Sequence, residues 1–304
     1  MTITAKIIAD SIGPFGGPRM TTFEIEYPRF ILAEVNTHRE LSKNSASSRA
    51  IPIATMHKQI RENMAMPVHW GENQPGMQAK EELDSASRKV VQRLWKLAIE
   101  SAIRYASWME KAGLHKQVAN RITEPGMTMK TVISGTSWNN LWHLRDHPDA
   151  QPEFRELASL MHQAYLASTP SVLYEGEWHL PYVNSQRSLL DGKLLYLDEN
   201  DNVIPLELAR KVSASCCAQV SYRKNDPSLE KAEDIFNRLI YSTPMHASPV
   251  EHQATPIGYP ADLGDVKSWP QGVTHVNRYG QLCSGNLKEW IQFRQLIAGE
   301  SVPG

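Results

Sequence analysis

FEIEYPRFILAEVNTHRELSKNSASSR, residues 23–49, decides the fold. Residues 21–27 (TTFEIEY) alternate apolar and polar side chains, the period-2 pattern of a strand with one buried face. Pro28 ends that strand and can open a helix over PRFILAEVNTHREL, because a first-turn residue needs no N–H partner. The run SKNSASSR then breaks the apolar spacing. Upstream, TAKIIADSI reads as a further strand and PFGGPR as the turn between the two.

Downstream, residues 67–77 read as a loop. From about Gln78 to Lys111, Leu83, Ala86, Val90, Leu94, Leu97, Ala102, Tyr105 and Met109 recur at helical spacing until Gly113. A helix of about 30 residues would be roughly 45 Å long, a main beam of the fold. TVISGTSW predicts a short strand, a helix starts near Asn139, and QPEFRELASLMHQAYLA is a helix with Pro152 in its first turn. Residues 170–205 predict a β excursion with a hairpin turn at DENDN. PLELARKVSASCCAQVSY and LEKAEDIFNRLIYS predict two more helices, residues 258–285 an irregular segment, and LKEWIQFRQLI a closing helix. Strands and helices mixed in this way imply an α/β (mixed α+β) fold. With no linker or repeat, one domain over 1–304 is expected, in three parts at 1–165, 166–210 and 211–304.

The 304 residues, 41% hydrophobic and 21% charged, have the balance of a globular protein. No apolar run approaches the roughly 18–20 residues of a membrane span, and the N-terminus does not read as a signal peptide, so a cytoplasmic protein is expected. A net charge of −1 argues against binding nucleic acid by bulk charge. Of three cysteines, Cys216 and Cys217 are adjacent, which suits neither a disulfide framework nor zinc spacing. Reduced, partly buried thiols are expected.

Four segments could carry chemistry. His38, Arg39, Asn44, Ser45, Ser47, Ser48 and Arg49 put two arginines ten residues apart around small hydroxyls, suited to a phosphate or to a solvated loop. HASPVEH sets His246 and His252 about Glu251; Pro249 opposes the helical HExxH geometry, so no metal is expected and a buried histidine pair is the plainer reading. Asn140 and Arg145 lie near a helix start that can hold an anion, although Trp138, Leu141 and Leu144 could be core there and Arg145 a surface ion-pair member. Asn120 and Arg121 follow the long helix. GxGxxG after a strand, GxxxxGK[ST] and GxSxG are all missing, which removes support for a Rossmann site, a P-loop and a hydrolase elbow.

These segments together resemble the flavin-dependent thymidylate synthases. That family's signature is Arg-His-Arg, seven residues, then Ser-x-Arg, after a strand–Pro–helix lead-in of the form F-x-[IV]-x-x-P-x-F-[VI]. Here the lead-in is Phe23, Ile25, Pro28, Phe30 and Ile31, and the signature runs ungapped through Thr37, His38 and Arg39 to Ser47, Ser48 and Arg49. NLWHLRDHPDAQPEFRELA is similar to the family's N-F-L-x-L-R…A-Q-x-E-I…A, and GLHKQVANR to the segment before it, with a one-residue shift that favours Arg121 over Asn120. AQVSY and HASPVEH resemble A-R-x-S-[FY] and H-x-[ST]-P-[FL]-E-H, which precede the signature in the usual family and follow it here. That order implies a circularly rearranged chain similar to bacteriophage forms, which is reasonable where termini lie close together at the surface.

The resemblance implies a central mixed sheet with long helices and a homotetramer sharing its sites between subunits. It implies FAD, with methylene-tetrahydrofolate and NADPH as co-substrates, converting dUMP to dTMP without a cysteine nucleophile. Ser47 and Arg145 would be catalytic. Glu34, Ser45, Ser47, Arg49, Arg121 and Arg145 would hold the nucleotide, and His38, Arg39, Asn140, Ser221, His246 and Ser248 the flavin. The sequence departs from the pattern at Thr37, where an arginine is expected, at Glu34, where glutamine is common, and at Ser45, where glutamate is common. A carboxylate only accepts hydrogen bonds, so Glu34 raises dCMP as an alternative to dUMP. Gln292 and Arg294 in the tail offer the two residue types lost at Glu34 and Thr37. Two other readings stay open: an enzyme adding another group, such as hydroxymethyl, to a pyrimidine, and a non-catalytic nucleic-acid-binding protein using the Ser/Arg loop and the eight tryptophans.

Overall fold

A computed structural model describes residues 2–221, 225–259 and 262–301. The first part runs β1 (Thr4–Ile12), β2 (Met20–Pro28), α1 (Leu32–Asn36), β3 (Ser42–Ser45), α2 (Ile53–Glu62), α3 (Ser85–Lys111), α4 (Lys116–Ala119), β4 (Thr128–Gly135), α5 (Asn139–Arg145) and α6 (Pro152–Ala167). The β excursion follows as β5 (Ser171–Val172), β6 (Asn184–Arg187), β7 (Leu194–Leu197) and β8 (Val203–Ile204). The last part holds α7 (Leu206–Ala218), α8 (Leu229–Leu239), β9 (Ala254–Pro256), β10 (His275–Val276), β11 (Leu282–Ser284), β12 (Leu287–Lys288) and β13 (Trp290–Gln292).

The fold is mixed α+β, around a five-stranded sheet in the order β3-β4-β2-β1-β5. Its long strands pair antiparallel and β5 pairs parallel with β1. The central place of β2 corrects the half-buried expectation. Phe23, Ile25 and Tyr27 enter an apolar core with Trp138, Leu141, Phe154, Leu157 and Met161 of the α5–α6 layer. The opposite face is covered as well. Glu24 accepts from the Tyr182 hydroxyl at 2.7 Å and pairs with Lys130 at 3.2 Å, and Val132 packs with Cys217 and Val220. The alternation therefore separates an apolar layer from a polar one, rather than core from water.

Helix starts follow the capping rules. Asp84 accepts from the N–H groups of Ala86 and Ser87 to open α3, and Gln151 accepts from Phe154 N–H ahead of Pro152. Only Ile99, Ile103 and Ala106 of α3 are buried; Ile99 and Ile103 pack with Met56 and Ile60 of α2 and with Met127, just before β4. Gly126 permits that approach, since a Cβ there would lie 2.5 Å from Ile99 Cγ2. Val90, Leu94, Leu97, Tyr105 and Trp108 remain exposed, so the predicted apolar stripe is largely not core.

Two other expectations change. The helix expected over PRFILAEVNTHREL shortens to a 3-10 turn (Arg29–Ile31) and α1, because the backbone must turn at Thr37 to enter β3. The expected closing helix is instead β12, β13 and a 3-10 turn, Phe293–Leu296. Trp290, Ile291 and Gln292 are all buried and pair antiparallel with β9, a long-range pairing that overrides the local spacing. The DENDN hairpin is present between β7 and β8, with Asp198 accepting from Asn200 and Asn202.

Candidate active site

Two stretches distant in sequence meet along β3. Ser47 N–H donates to Ser221 Oγ at 2.9 Å, Ser248 donates to Asn44 Oδ1 at 3.2 Å, and Asn44 Nδ2 donates to the Cys217 carbonyl at 2.5 Å. The AQVSY and HASPVEH segments thus lie against the serine–arginine stretch. Tyr222 of the first segment lies outside the described residues.

The serine run is not a solvated loop. Ala46 N–H bonds the Lys130 carbonyl, Ser48 donates to Glu124, and the buried Asn120 donates to the carbonyls of Ser48 and Ile51 at 2.8 and 3.0 Å. Ser45 shares a hydrogen bond with Thr131 at 2.8 Å. Each link satisfies a backbone or hydroxyl group that would otherwise be costly to bury. Asn120 is therefore a tie within the fold. Arg121 stands half exposed, donating to Glu124 at 3.0 Å.

A second cluster joins α1 to α5. Arg145 Nε donates to His38 Nε2 at 3.0 Å and Nη2 to Thr37 Oγ1 at 3.2 Å, while the guanidinium lies 5.0 Å from the Phe154 ring centre. The same Phe154 meets the His38 ring edge to face. Arg145 is thus held inside the cluster instead of in a surface ion pair, although Leu144 is exposed. Burial, then the charges of Arg145 and Lys43, push His38 down to about 4, so the imidazole is neutral near pH 7. Since Nε2 accepts from Arg145, its proton sits on Nδ1.

Lys43 is a residue that sequence reasoning passed over, though it lies inside the signature. Its ammonium donates to the His38 carbonyl, and to that of Leu41 at 3.1 Å; burial lowers it to about 8 against the opposing pull of Glu251. The tail reaches this region. Arg294 pairs with Glu251 at 2.6 Å, and Gln292 Nε2 donates to the Glu251 carbonyl and to Asn286 at 3.1 and 3.0 Å. Both land on the HASPVEH turn and beside β3, bracing the turn.

Glu34 and Arg145 share the wall of a 1370 Å³ cleft with Phe30, Val68, Arg155 and Glu156. Ser221 and Ala46 line a separate 290 Å³ cavity with Glu26 and Lys130. Arg49 and Arg121 line neither. Of the two histidines in HASPVEH, His246 is exposed and only His252 is buried, donating to or accepting from Ser134 Oγ at 2.8 Å. The expected buried pair is thus a single histidine, bonded to a side chain. Among the described residues no three His, Cys, Asp or Glu side chains gather as a metal site. All three cysteines are buried and unpaired; burial pushes Cys216 up to about 12 and Cys217 well above its ordinary value. Neither thiol is a nucleophile in that state.

Arg39 is an exposed guanidinium with no ion pair among the described residues, and Asn140 and His246 are exposed as well, so a cationic and an amide donor are open to an anionic group.

None of the curated proteins matches the chain. Among solved structures, a UMP/dUMP methylase PolB from Streptomyces cacaoi bound with 5-Br UMP is similar at 16% identity and a TM-score of 0.44, over 55% of this chain and 88% of that one. The same methylase bound with 5-Br dUMP is similar at 16% identity and a TM-score of 0.43, over 55% and 89%. The family described as thymidylate synthase complementing protein matches residues 19–171, half of the chain, which includes β2, the whole signature, β4, α5 and α6. The chain belongs to that family, and its enzyme class is that of the thymidylate-synthase-type methyltransferases.

Proposed function

We propose that the chain methylates C5 of a pyrimidine nucleotide, with FAD as cofactor, methylene-tetrahydrofolate as the one-carbon source and NADPH as the reductant. FAD, when bound, supplies the hydride chemistry. The observation that carries the reading is the meeting of Ser221 and Ser248 with Ser47 and Asn44, which brings the rearranged segments onto the signature. The family match covers the signature but not those segments.

In this reading Arg145 binds the nucleotide in the cleft, and Ser45, Ser47, Arg49 and Arg121, none of which lines that cleft, contact it from another copy of the chain across a shared site, with Ser47 by the pyrimidine. His38, Arg39, Asn140, Ser221, His246 and Ser248 contact the flavin. The neutral His38 ring orients Arg145, so the guanidinium reaches the cleft with its plane fixed. The exposed apolar residues of α3 support a homo-oligomer, since such a stripe is larger than a lone surface residue requires. Gln292 and Arg294 brace the flavin-side turn.

Purified chain should be yellow, with visible flavin absorbance, and should release a C5-methylated nucleotide from a defined pyrimidine substrate with methylene-tetrahydrofolate and NADPH. A hydroxymethylated product would move the assignment to the related C5-modifying chemistry. A colourless protein binding nucleic acid with steep salt dependence would replace the enzyme by a binding protein.

A further inference from the structure

Glu34 stands out in the wall of the large cleft. Its carboxylate makes no hydrogen bond or ion pair among the described residues, and Oε2 is shut off from solvent without a partner. An acceptor oxygen shut off from water with no donor is costly, so a ligand in the cleft that brought it a donor would relieve it. Lys80 and Arg155 line the same cleft without pairing with the carboxylate among the described residues. Arg145 lines the same cleft but spends Nε on His38 and Nη2 on Thr37. The Thr37 hydroxyl donates in turn to the Glu34 carbonyl at 2.6 Å, which fixes the backbone of Glu34 relative to the arginine while leaving the carboxylate free. Arg145 Nη1 has no hydrogen-bond partner among the described residues. The cleft therefore presents a pure acceptor and a pure donor from two rigidly connected elements.

We infer that Glu34 reads the exocyclic amino group of the base, and that the nucleotide taken by this cleft carries cytosine. The inference rests on the nucleotide-methylase reading and names its substrate. Cytosine offers N4–H₂ as a donor beside the acceptor N3, and a glutamate accepting from N4 is the expected pairing for that edge. Arg145 can then donate to N3 or O2. In uracil the sole ring donor, N3–H, is flanked on both sides by carbonyl oxygens. A carboxylate placed to accept from position 4 would face O4 there, an acceptor against an acceptor. The orphaned carboxylate thus discriminates by what it repels as well as by what it attracts.

Calorimetric titration of the full-length flavin-loaded protein with dCMP and with dUMP tests this without relying on turnover. The expected result is dCMP binding roughly tenfold or more tighter than dUMP. Glu34→Gln, which keeps the size and adds a donor, should erase or reverse that preference at an unchanged melting temperature. Equal or tighter binding of dUMP by the unaltered protein would overturn the cytosine assignment and leave the methylase reading standing. Binding of neither nucleotide, with flavin in place, would overturn both. A preference for dCMP that survives Glu34→Gln would assign the discrimination to another residue and remove Glu34 from it.

Discussion

The two faces of the central sheet are built on opposite principles. Toward α5 and α6, β2 presents Phe23, Ile25 and Tyr27 to a dry layer where Phe23 meets Trp138 edge to face at 5.1 Å. On the other face it presents Thr22, and a run of side chains crosses the sheet: Ser11 to His179 at 2.9 Å, His179 to Thr22 at 2.8 Å, Thr22 to Ser134 at 2.7 Å, and Ser134 to His252 at 2.8 Å. The first face holds by area removed from water, which tolerates many shapes. The second holds by directed bonds that tolerate one docking position, because any slip leaves buried polar groups unpaired. The sheet thus owes its bulk stability to one side. The segments around His179 and His252 owe their alignment to the other.

Acid should separate the two faces most strongly. Burial pushes His179 and His252 down to about 3 from an ordinary 6.5, so both are neutral in the folded chain near neutral pH. Their contribution is fully present above pH 6.5 and is lost as pH falls from there toward about 3, because the unfolded chain takes up the protons first. Denaturant midpoints measured across that window should fall steeply, by an amount on the order of several kcal/mol in unfolding free energy. A flat profile would mean the histidines are not buried and neutral. Next in size, Phe23→Ala should cost about 3–5 kcal/mol at neutral pH, and its pH profile should run parallel to that of the unaltered chain. Smaller again, Ser134→Ala should cost about 1–3 kcal/mol by stranding Nδ1 of the buried His252. Should it cost less than about 0.5 kcal/mol, the polar face would not be the alignment device described.

The sequence carries the first of these faces openly. Phe23, Ile25, Tyr27 and Pro28 announce strand, end and turn within a few residues, and Pro152 announces the first turn of α6. The chemistry of the signature is also local, so Ser47, Arg145 and the displaced Ser221 and Ser248 are found as motifs. The polar face is silent, because Thr22 and His179 are 157 positions apart and nothing near either marks the other. The tail misleads for a related reason. Trp290 and Phe293 fit a helical spacing as well as a strand, and pairing with β9 decides between them. On α3 the period reports an amphipathic helix but not which side finds a partner. Asn120 and Arg121 are adjacent and equally plausible as ligands in sequence, yet burial divides them into an internal tie and a surface cation.

The chain of five side chains across the sheet also has a direction. His252 Nε2 is buried with no partner, and a bare acceptor there costs less than a stranded N–H. The ring proton therefore lies on Nδ1 and points to Ser134. Ser134 must then give its own proton to Thr22, Thr22 to His179 Nε2, and His179, through Nδ1, to Ser11. Every tautomer and hydroxyl rotor in the row follows from that one end. Reversing a single member would require reversing all of them, so the row is a one-way street, set at His252 and read out at the first strand.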